Sequence, residues 1–311
     1  MKKDISSLPL AIALAAGLVL SVVPARPACA QTAFPAQTQS AEQRELPSYY
    51  RVKASTDWGR LSLKFTIDID VVAAGFRMPG ARLEAERSID HDLPALMEEA
   101  LFGIRLDAGR TLEGSLEDGS VNEQQTLELA ARARLDDENF SGDFHYFTAV
   151  YELPLTAVMA LFIRHSSALQ LEAPLEYRAS RPYTGIIIIA QGRLPVHGEQ
   201  GQSSALSPCL FPRVYDEDMN LLVDRNHVAP EAIRAWGELG YTSKLDSAGT
   251  ARAGAYPLRI VARAFFGTSR TDLIISRDDA LKITSLPENR ALIEQGKILV
   301  VLDSVSETVS Y

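Results

Sequence analysis

The sequence predicts an α+β fold of two small domains, each a mostly antiparallel or mixed sheet packed with helices, after an N-terminal signal peptide. Three observations predict it: a stretch of strict apolar–polar alternation, an apolar helical stripe after it, and four consecutive isoleucines in the second half. The length of 311 residues suits two domains, since one domain usually takes about 100–200 residues.

The first thirty residues have the parts of a Sec-type signal peptide. Lys2 and Lys3 precede the uncharged apolar stretch 8–23, and small residues at Ala28 and Ala30 fit the positions that a signal peptidase reads. We therefore expect cleavage after Ala30. The mature chain is then expected in the periplasm or at the outer-membrane periphery, without a transmembrane span.

Cys29 offers an alternative start for the mature chain, because a lipoprotein signal would place a lipid on that cysteine. Arg26 and Pro27 occupy the positions before it, which favours simple cleavage over lipidation. After cleavage Cys209 is the one cysteine left, so no internal disulfide can form.

The expected mature chain is acidic. Loss of the first thirty residues removes three cations and one anion, which takes the formal net charge from −9 to −11. A surface of that sign argues against nucleic acid or anionic lipid as a partner. Association with the outer membrane stays open.

The rest of the chain divides into four parts. Residues 31–49 are polar, with scattered Ala and Pro, and are predicted to be a flexible lead-in. Residues 50–176 form the first predicted α+β domain and residues 177–304 the second. Residues 305–311 are predicted to be a tail.

The first domain contains the clearest strand signal, over Asp57–Asp70. Apolar and polar residues alternate there, which is typical of a strand with one buried and one solvent-exposed face. From about Ala81, apolar residues recur every three or four positions and predict a helix. Pro94 falls inside this stripe and marks either a kink or a new helix start capped by Asp92.

Three further elements complete the first predicted domain. Residues 121–133 change from polar to apolar and favour a second helix. A Ser-Gly-Asp turn divides residues 133–155 into the two strands of a hairpin, and residues 155–163 show helical spacing over a short length.

The second domain is predicted around Ile186–Ile189. A strand that is covered on both faces has no need to alternate, so the four isoleucines favour a central strand. Burial of an isoleucine contributes roughly 1.5–3 kcal/mol, so this strand would supply a large share of the domain's stability.

Shorter signals place the remaining elements of the second domain. A helix is predicted with Pro230 near its start and Gly240 at its end. Ser276 and Ser285 are predicted N-caps of two short helices, and Gly296 precedes a last buried strand. Further strands are predicted within residues 205–218, 257–266 and 272–276.

The motifs predict no catalytic residue, no cofactor and no metal site. The five histidines lack the i, i+4 spacing that places two imidazoles on one helix face, and each is interpreted as a surface or interface residue. Serine-hydrolase, dinucleotide and phosphate-loop signatures are missing as well. The stretch Asp90–His91–Asp92 could suggest an acid–base cluster but is interpreted as a solvated helix face, because neighbouring helical residues point in different directions.

One acidic cluster resembles a calcium loop without completing it. The sixth position of the template needs a glycine and holds Leu221, and the twelfth needs a glutamate and holds His227. We therefore interpret the cluster as an acidic β-turn. Template positions 1, 3, 5 and 9 are held by Asp216, Asp218, Asn220 and Asp224.

Several blocks of the sequence resemble a known family. The stretches "DWGRLSLKFTIDID" and "ARLEAERSID" resemble the opening of the FlgP-like flagellar basal-disk lipoproteins. The blocks "YTGIIIIAQG", "ALSPCLFPRVYDED" and "KILVVLD" resemble envelope proteins of the same broad group. The positions that carry the resemblance are Trp58, Tyr183, Thr184, Gly185, Pro208, Tyr215, Asp216 and Pro257.

The resemblance implies a non-enzymatic structural or assembly component of the cell envelope, linked to flagellar or outer-membrane function. Its expected partners are other envelope or flagellar proteins, including further copies of itself. It implies no catalytic residues for this chain.

Two alternatives remain open from the sequence. A periplasmic binding module for a small molecule or glycan could use Tyr49, Tyr50, Phe144 and Tyr146 to stack on sugars. A hydrolase would require a pocket in which titratable groups converge.

Overall fold

The structure is a computed structural model and describes residues 46–310. The signal cleavage after Ala30, the alternative lipidation at Cys29 and most of the predicted lead-in lie outside the described residues. The described chain combines helices and several sheets in two domains, which confirms the predicted α+β class.

A five-stranded antiparallel sheet forms the first domain, in the order β15–β1–β2–β4–β3. Its outer strand β15 comes from the C-terminus, where residues 305–311 were predicted to be a tail. Ser306–Ser310 instead pair with β1, with Ser306 opposite Asp57. The strands are β1 Tyr50–Asp57, β2 Ser62–Asp70, β3 Arg134–Phe140, β4 Tyr146–Pro154 and β15 Ser306–Ser310.

The alternating stretch forms β2, as predicted, but not from its first residue. Asp57 ends β1, and the chain turns before β2 begins at Ser62. The apolar side of β2 is buried in the core, with Phe65, Ile67 and Ile69 fully enclosed. The β3–β4 hairpin is also confirmed.

Four helices belong to the first domain. The long helix α1 continues through Pro94, so the proline does not start a new helix. α3 is shorter than the predicted 121–133 and is capped by Asn122, whose side chain accepts from the Gln125 amide at 2.9 Å. The helices are α1 Ala81–Phe102, α2 Leu112–Glu117, α3 Glu123–Ala130 and α4 Leu155–Ala160.

A four-stranded parallel sheet lies at the centre of the second domain, in the order β10–β14–β5–β11. The isoleucine run forms β5, between two neighbours, and Ile187 is fully buried. The prediction of a central strand covered on both faces is therefore confirmed. The strands are β5 Ile186–Ile189, β10 Gly240–Thr242, β11 Leu258–Val261 and β14 Ile298–Val301.

A second, mixed sheet of four short strands completes the domain, in the order β12–β13–β8–β9. A small hairpin of β6 Leu194–Pro195 and β7 Ser203–Ser204 projects beside it. The sheet strands are β8 Val214–Asp216, β9 Leu221–Val223, β12 Ala264–Phe266 and β13 Asp272–Ile275.

The helices of the second domain correct two predicted ends. The first helix ends at Trp236, because Gly237 adopts a φ of 84°, and Gly240 instead begins β10. Ser276 caps its helix as predicted, whereas Ser285 does not, since Leu286 holds the N-cap position before Pro287. The helices are α5 Pro230–Trp236, α6 Arg277–Thr284 and α7 Pro287–Glu294.

One hydrophobic core runs through both domains. Buried residues of the antiparallel sheet, of α1 and of the parallel sheet belong to a single contiguous cluster. α4 of the first domain packs against α5 of the second. Between residues 46 and 310, no helix has the length and apolar character needed to cross a membrane.

Candidate functional site

The eight positions that carry the sequence resemblance fall in three separate places. Trp58 lies at the junction of the two domains, is 2% exposed, and its ring centroid is 6.1 Å from that of Tyr241. The Arg105 guanidinium lies 6.0 Å from the Trp58 ring and donates to the Pro208 carbonyl at 3.1 Å and to Glu307 at 2.6 Å. Trp58 and Pro208 therefore help to join the domains.

Tyr183 and Thr184 hold the amino end of the parallel sheet. The Tyr183 amide donates to the Asn289 Oδ1 atom at 3.0 Å. The Thr184 hydroxyl donates to the Ala253 carbonyl at 2.8 Å and accepts from the Tyr256 amide at 2.9 Å. These bonds tie the segment between the domains to helix α7 and to the residues around Ala253 and Tyr256.

Gly185 and Pro257 each stand one residue before a strand of that sheet. A Cβ atom on Gly185 would lie 2.5 Å from the Ala253 Cα and carbonyl oxygen, so the position requires glycine. Pro257 stands directly before β11, where it leaves the ladder of that strand intact. Both positions are structural.

Asp216 organises the turn between β8 and β9. Its carboxylate accepts from the Asp218 and Asn220 amides at 2.9 and 2.8 Å, and from the Asn220 Nδ2 atom at 2.8 Å. Both oxygens are thereby used within the turn, which confirms the turn interpretation. Tyr215 packs its ring on Phe266 at 5.8 Å. Within residues 46–310, no three His, Cys, Asp or Glu side chains are placed to hold a metal ion.

The four aromatic residues considered for sugar stacking do not form a platform. Tyr50 is 9% exposed, and its hydroxyl donates to Asp92 at 3.0 Å. Tyr49 packs on Tyr50 at 4.8 Å, and Tyr146 lies under a neighbouring guanidinium. Phe144 alone among the four is strongly exposed.

Three titratable side chains, Glu238, Tyr241 and Cys209, are buried in the interior. Glu238 is fully buried, and neither carboxylate oxygen has a hydrogen-bond partner among the described residues. Burial raises the pKa of Glu238 well above its usual value. The Tyr241 hydroxyl donates to the Cys209 carbonyl at 2.9 Å, and burial also raises the pKa of the Cys209 thiol. These groups are enclosed, so a substrate in solution does not meet them in this conformation.

A cavity of about 200 Å³ contains a histidine beside a carboxylate. The His227 Nδ1 atom lies 2.9 Å from an Asp224 oxygen, out of line for a hydrogen bond, so the contact is an ion pair when the imidazole is protonated. Burial opposes ionisation of Asp224, but His227 and the Asn226 amide outweigh it and lower the pKa of that carboxyl. No serine, threonine or cysteine lines the cavity.

A groove lined by arginines runs along the domain boundary, formed by two adjoining cavities of about 450 and 490 Å³. Both cavities are lined by Pro154 and Thr156, so they meet there. No Asp or Glu lines either cavity, although the chain as a whole has a net charge of −9. We call this feature the arginine groove and define it by Arg60, Arg132, Arg134, Arg234, Arg252 and Trp236.

Arg252 is fixed in the wall of the groove. Its guanidinium donates to the carbonyl oxygens of Gly296, Trp236 and Gly237 at 2.6–2.7 Å and lies 4.9 Å from the Trp236 ring centroid. Burial lowers the pKa of Arg252 to about 10, which leaves it charged at neutral pH. Its stacking on Trp236 holds the indole in place.

The other four arginines are exposed and weakly paired. Arg60 and Arg234 each have a carboxylate on a neighbouring turn at 4.0 Å. Arg132 and Arg134, at the start of β3, form no ion pair within 4.0 Å among residues 46–310, although Glu152 of β4 stands opposite Arg134 in the sheet. The residues that line the groove therefore carry an excess of positive charge, and the nearest carboxylates, Asp57 and Glu231, lie 4.0 Å from Arg60 and Arg234 outside its lining. The sequence reasoning missed it, because these arginines come from four distant segments and show no spacing pattern.

Comparison with known families matches both domains. Residues 50–161 match the family model described as the N-terminal domain of Treponema pallidum Tp0624, and residues 185–304 match the model described as the second domain of that protein. The two domains are thus similar to those of Tp0624 and follow in the same order. No curated protein matches the chain.

Proposed function

We propose that the protein is a non-enzymatic, exported component of the cell envelope, with a structural or assembly role in flagellar or outer-membrane function. The N-terminal sequence features support export. The resemblance to FlgP-like basal-disk lipoproteins supports the flagellar link.

The observation that carries the proposal is the main hydrophobic core, which runs through both domains. Two-domain enzymes and binding proteins often close around a ligand by movement at a hinge. Here the C-terminal strand returns to the sheet of the first domain, and Arg105 is bonded to both Pro208 and Glu307. A chain joined in this way suits a component whose fixed shape is its function.

Deletion of the gene tests the proposal. We expect loss of swimming or of envelope integrity, restored by the full chain but not by a chain that lacks residues 1–30. Normal swimming and a normal envelope in the deletion strain would contradict the proposal.

Mass spectrometry of the mature N-terminus tests export separately. A free or cyclised Gln31 indicates a released periplasmic protein, whereas a lipid on Cys29 indicates an anchored one. An uncleaved Met1 would contradict cleavage after Ala30.

The arginine groove favours a second function, the binding of an anionic ligand.

A further inference from the structure

We propose that the arginine groove binds an acidic saccharide chain, whose carboxylates pair with Arg132 and Arg134 while a sugar ring packs on Trp236. The groove and its charge do not depend on the proposed function in the cell envelope. The choice of a glycan rests on that proposal, because an exported protein meets saccharide chains outside the cytoplasm.

The charge distribution identifies the ligand as an anion. Five arginines line a groove without a carboxylate, on a chain that has nine more acidic than basic residues. Like charges brought together in this way cost free energy unless a counter-charge occupies the site. Guanidinium groups pair with carboxylates through two parallel hydrogen bonds, so several carboxylates along one chain would satisfy the groove.

The shape of the groove favours an extended ligand. Each cavity falls within the roughly 300–1,000 Å³ usual for ligand sites, and the two are joined at Pro154 and Thr156. A ligand that spans both would contact Arg60 at one end and Arg132 at the other. A single small anion would leave one cavity empty.

Trp236 distinguishes a saccharide from a simple polyanion. Its side chain remains 38% exposed although Arg252 stacks on the indole, so part of the ring is available at the mouth of the groove. An aromatic surface that is held in place loses little conformational entropy when a ligand packs on it. The apolar C–H face of a sugar ring fits this surface, and its carboxylate is then within the field of the arginines.

The acidic exterior disfavours nucleic acid. A long polynucleotide carries a charge at every phosphate and would extend beyond the groove over a surface of net negative charge.

Fluorescence anisotropy with a labelled hexagalacturonate tests the inference on the mature chain. We expect saturable binding that weakens as salt rises, since ion pairs at a surface are screened. The double variant Arg132→Gln/Arg134→Gln should bind about tenfold more weakly or worse, because hydrogen bonds to charged groups are the strong ones. Trp236→Ala should weaken binding at every salt concentration.

The matched control removes two other exposed arginines of the first domain, Arg77→Gln/Arg87→Gln, which line neither cavity. It changes the net charge equally and should leave the affinity unchanged. An equal loss of affinity in this control would overturn the proposal that the groove is the binding site. The absence of any binding would overturn it as well.

Further probes of the same length or charge test the ligand class. Neutral cellohexaose should not bind, and equal affinity for it would overturn the charge argument. Hexaglutamate or hexathymidylate bound as tightly as hexagalacturonate would overturn the choice of a glycan in favour of a peptide or a nucleic acid. All of these failures leave the envelope proposal standing, because the deletion phenotype tests that separately.

Discussion

Glu238 is a carboxylic acid in the interior without a hydrogen-bond partner among residues 46–310. Burial raises its pKa well above the usual 4.5, so the folded state binds the proton more tightly than the unfolded state. The stability that comes from this protonation is fully present below pH 4.5. It is lost as the pH rises through the folded pKa.

We therefore expect Glu238→Gln to stabilise the protein at pH 7–8 relative to wild type, and to flatten the fall of the free energy of unfolding above pH 5. Urea melts at several pH values measure this. Glu231→Gln, on the exposed face of α5, is the control and should follow wild type. A Glu238→Gln variant that is strongly destabilised at pH 7 would show that the carboxylate is charged and paired.

Gly185 is a second residue whose surroundings restrict which amino acid can occupy the position. A Cβ atom there would lie 2.5 Å from the backbone of Ala253, and backbone cannot move away as a flexible side chain can. We expect Gly185→Ala to cost about 3 kcal/mol, at the upper end of overpacking penalties. Gly142→Ala, where a Cβ would meet nothing within 4 Å, is the control for thermal denaturation. Equal melting temperatures for the two variants would contradict the close approach.

Asp92 shows why residue environments were only partly predictable. The sequence placed it on a solvated helix face, whereas it accepts a hydrogen bond from Tyr50 at 3.0 Å. Tyr50 belongs to β1, a strand that no local pattern separated from the lead-in. The partner of Asp92 is 42 residues away, and single-sequence periodicity carries no information on such contacts.

At the scale of elements, long periodic segments were predictable and short ones were not. β2 and α1 repeat their pattern over enough residues to fix both type and buried face. β8, β9 and β10 have three residues each, too few for a period to show. Strand pairing was not predictable either, since β15 joins β1 from the opposite end of the chain.

The two faces of β5 give the element-scale prediction. Ile187 packs with Ala253, Leu299 and Val301 on one face, while Ile186 and Ile188 face the main core. Ile187→Asp would place a charge in this enclosed cluster, where it has no partner.

We expect Ile187→Asp to unfold the second domain at room temperature, as read by near-ultraviolet circular dichroism. Val261→Asp, on the edge strand β11 of the same sheet, changes a side chain that is 56% exposed and should remain folded. A melting temperature for Ile187→Asp equal to that of wild type would contradict the assignment of Ile187 to a buried hydrophobic cluster.

The groove was not predictable at any of these scales. Arg60 follows β1, Arg132 and Arg134 precede or begin β3, and Arg252 lies in a loop before β11. Each position alone is an ordinary exposed arginine in the sequence. Only the contact of α4 with α5 and the return of the chain to the domain boundary bring them together.

At the scale of the whole molecule, one core implies one unfolding transition. The chain has two tryptophans, Trp58 in the first domain and Trp236 in the second, so each domain has its own fluorescent reporter. In the variants Trp58→Phe and Trp236→Phe the remaining tryptophan reports alone. In each variant, we expect the urea midpoint from fluorescence of the remaining tryptophan to equal the midpoint from circular dichroism of the same variant. Coincident transitions of this kind are the mark of cooperative unfolding.

Removal of residues 304–311 should shift both reporters together. The truncation takes β15 from the open edge of β1 and Glu307 from Arg105, yet its effect should reach Trp236, since the hydrophobic core is continuous across the boundary. Glu307→Gln removes the ion pair but leaves the strand, so it should produce only a small part of the shift, as a half-exposed pair contributes about 1 kcal/mol or less. If truncation lowered the Trp58 midpoint and left that of Trp236 in place, the domains would be independent, and a single fixed body could not be the basis of the protein's function.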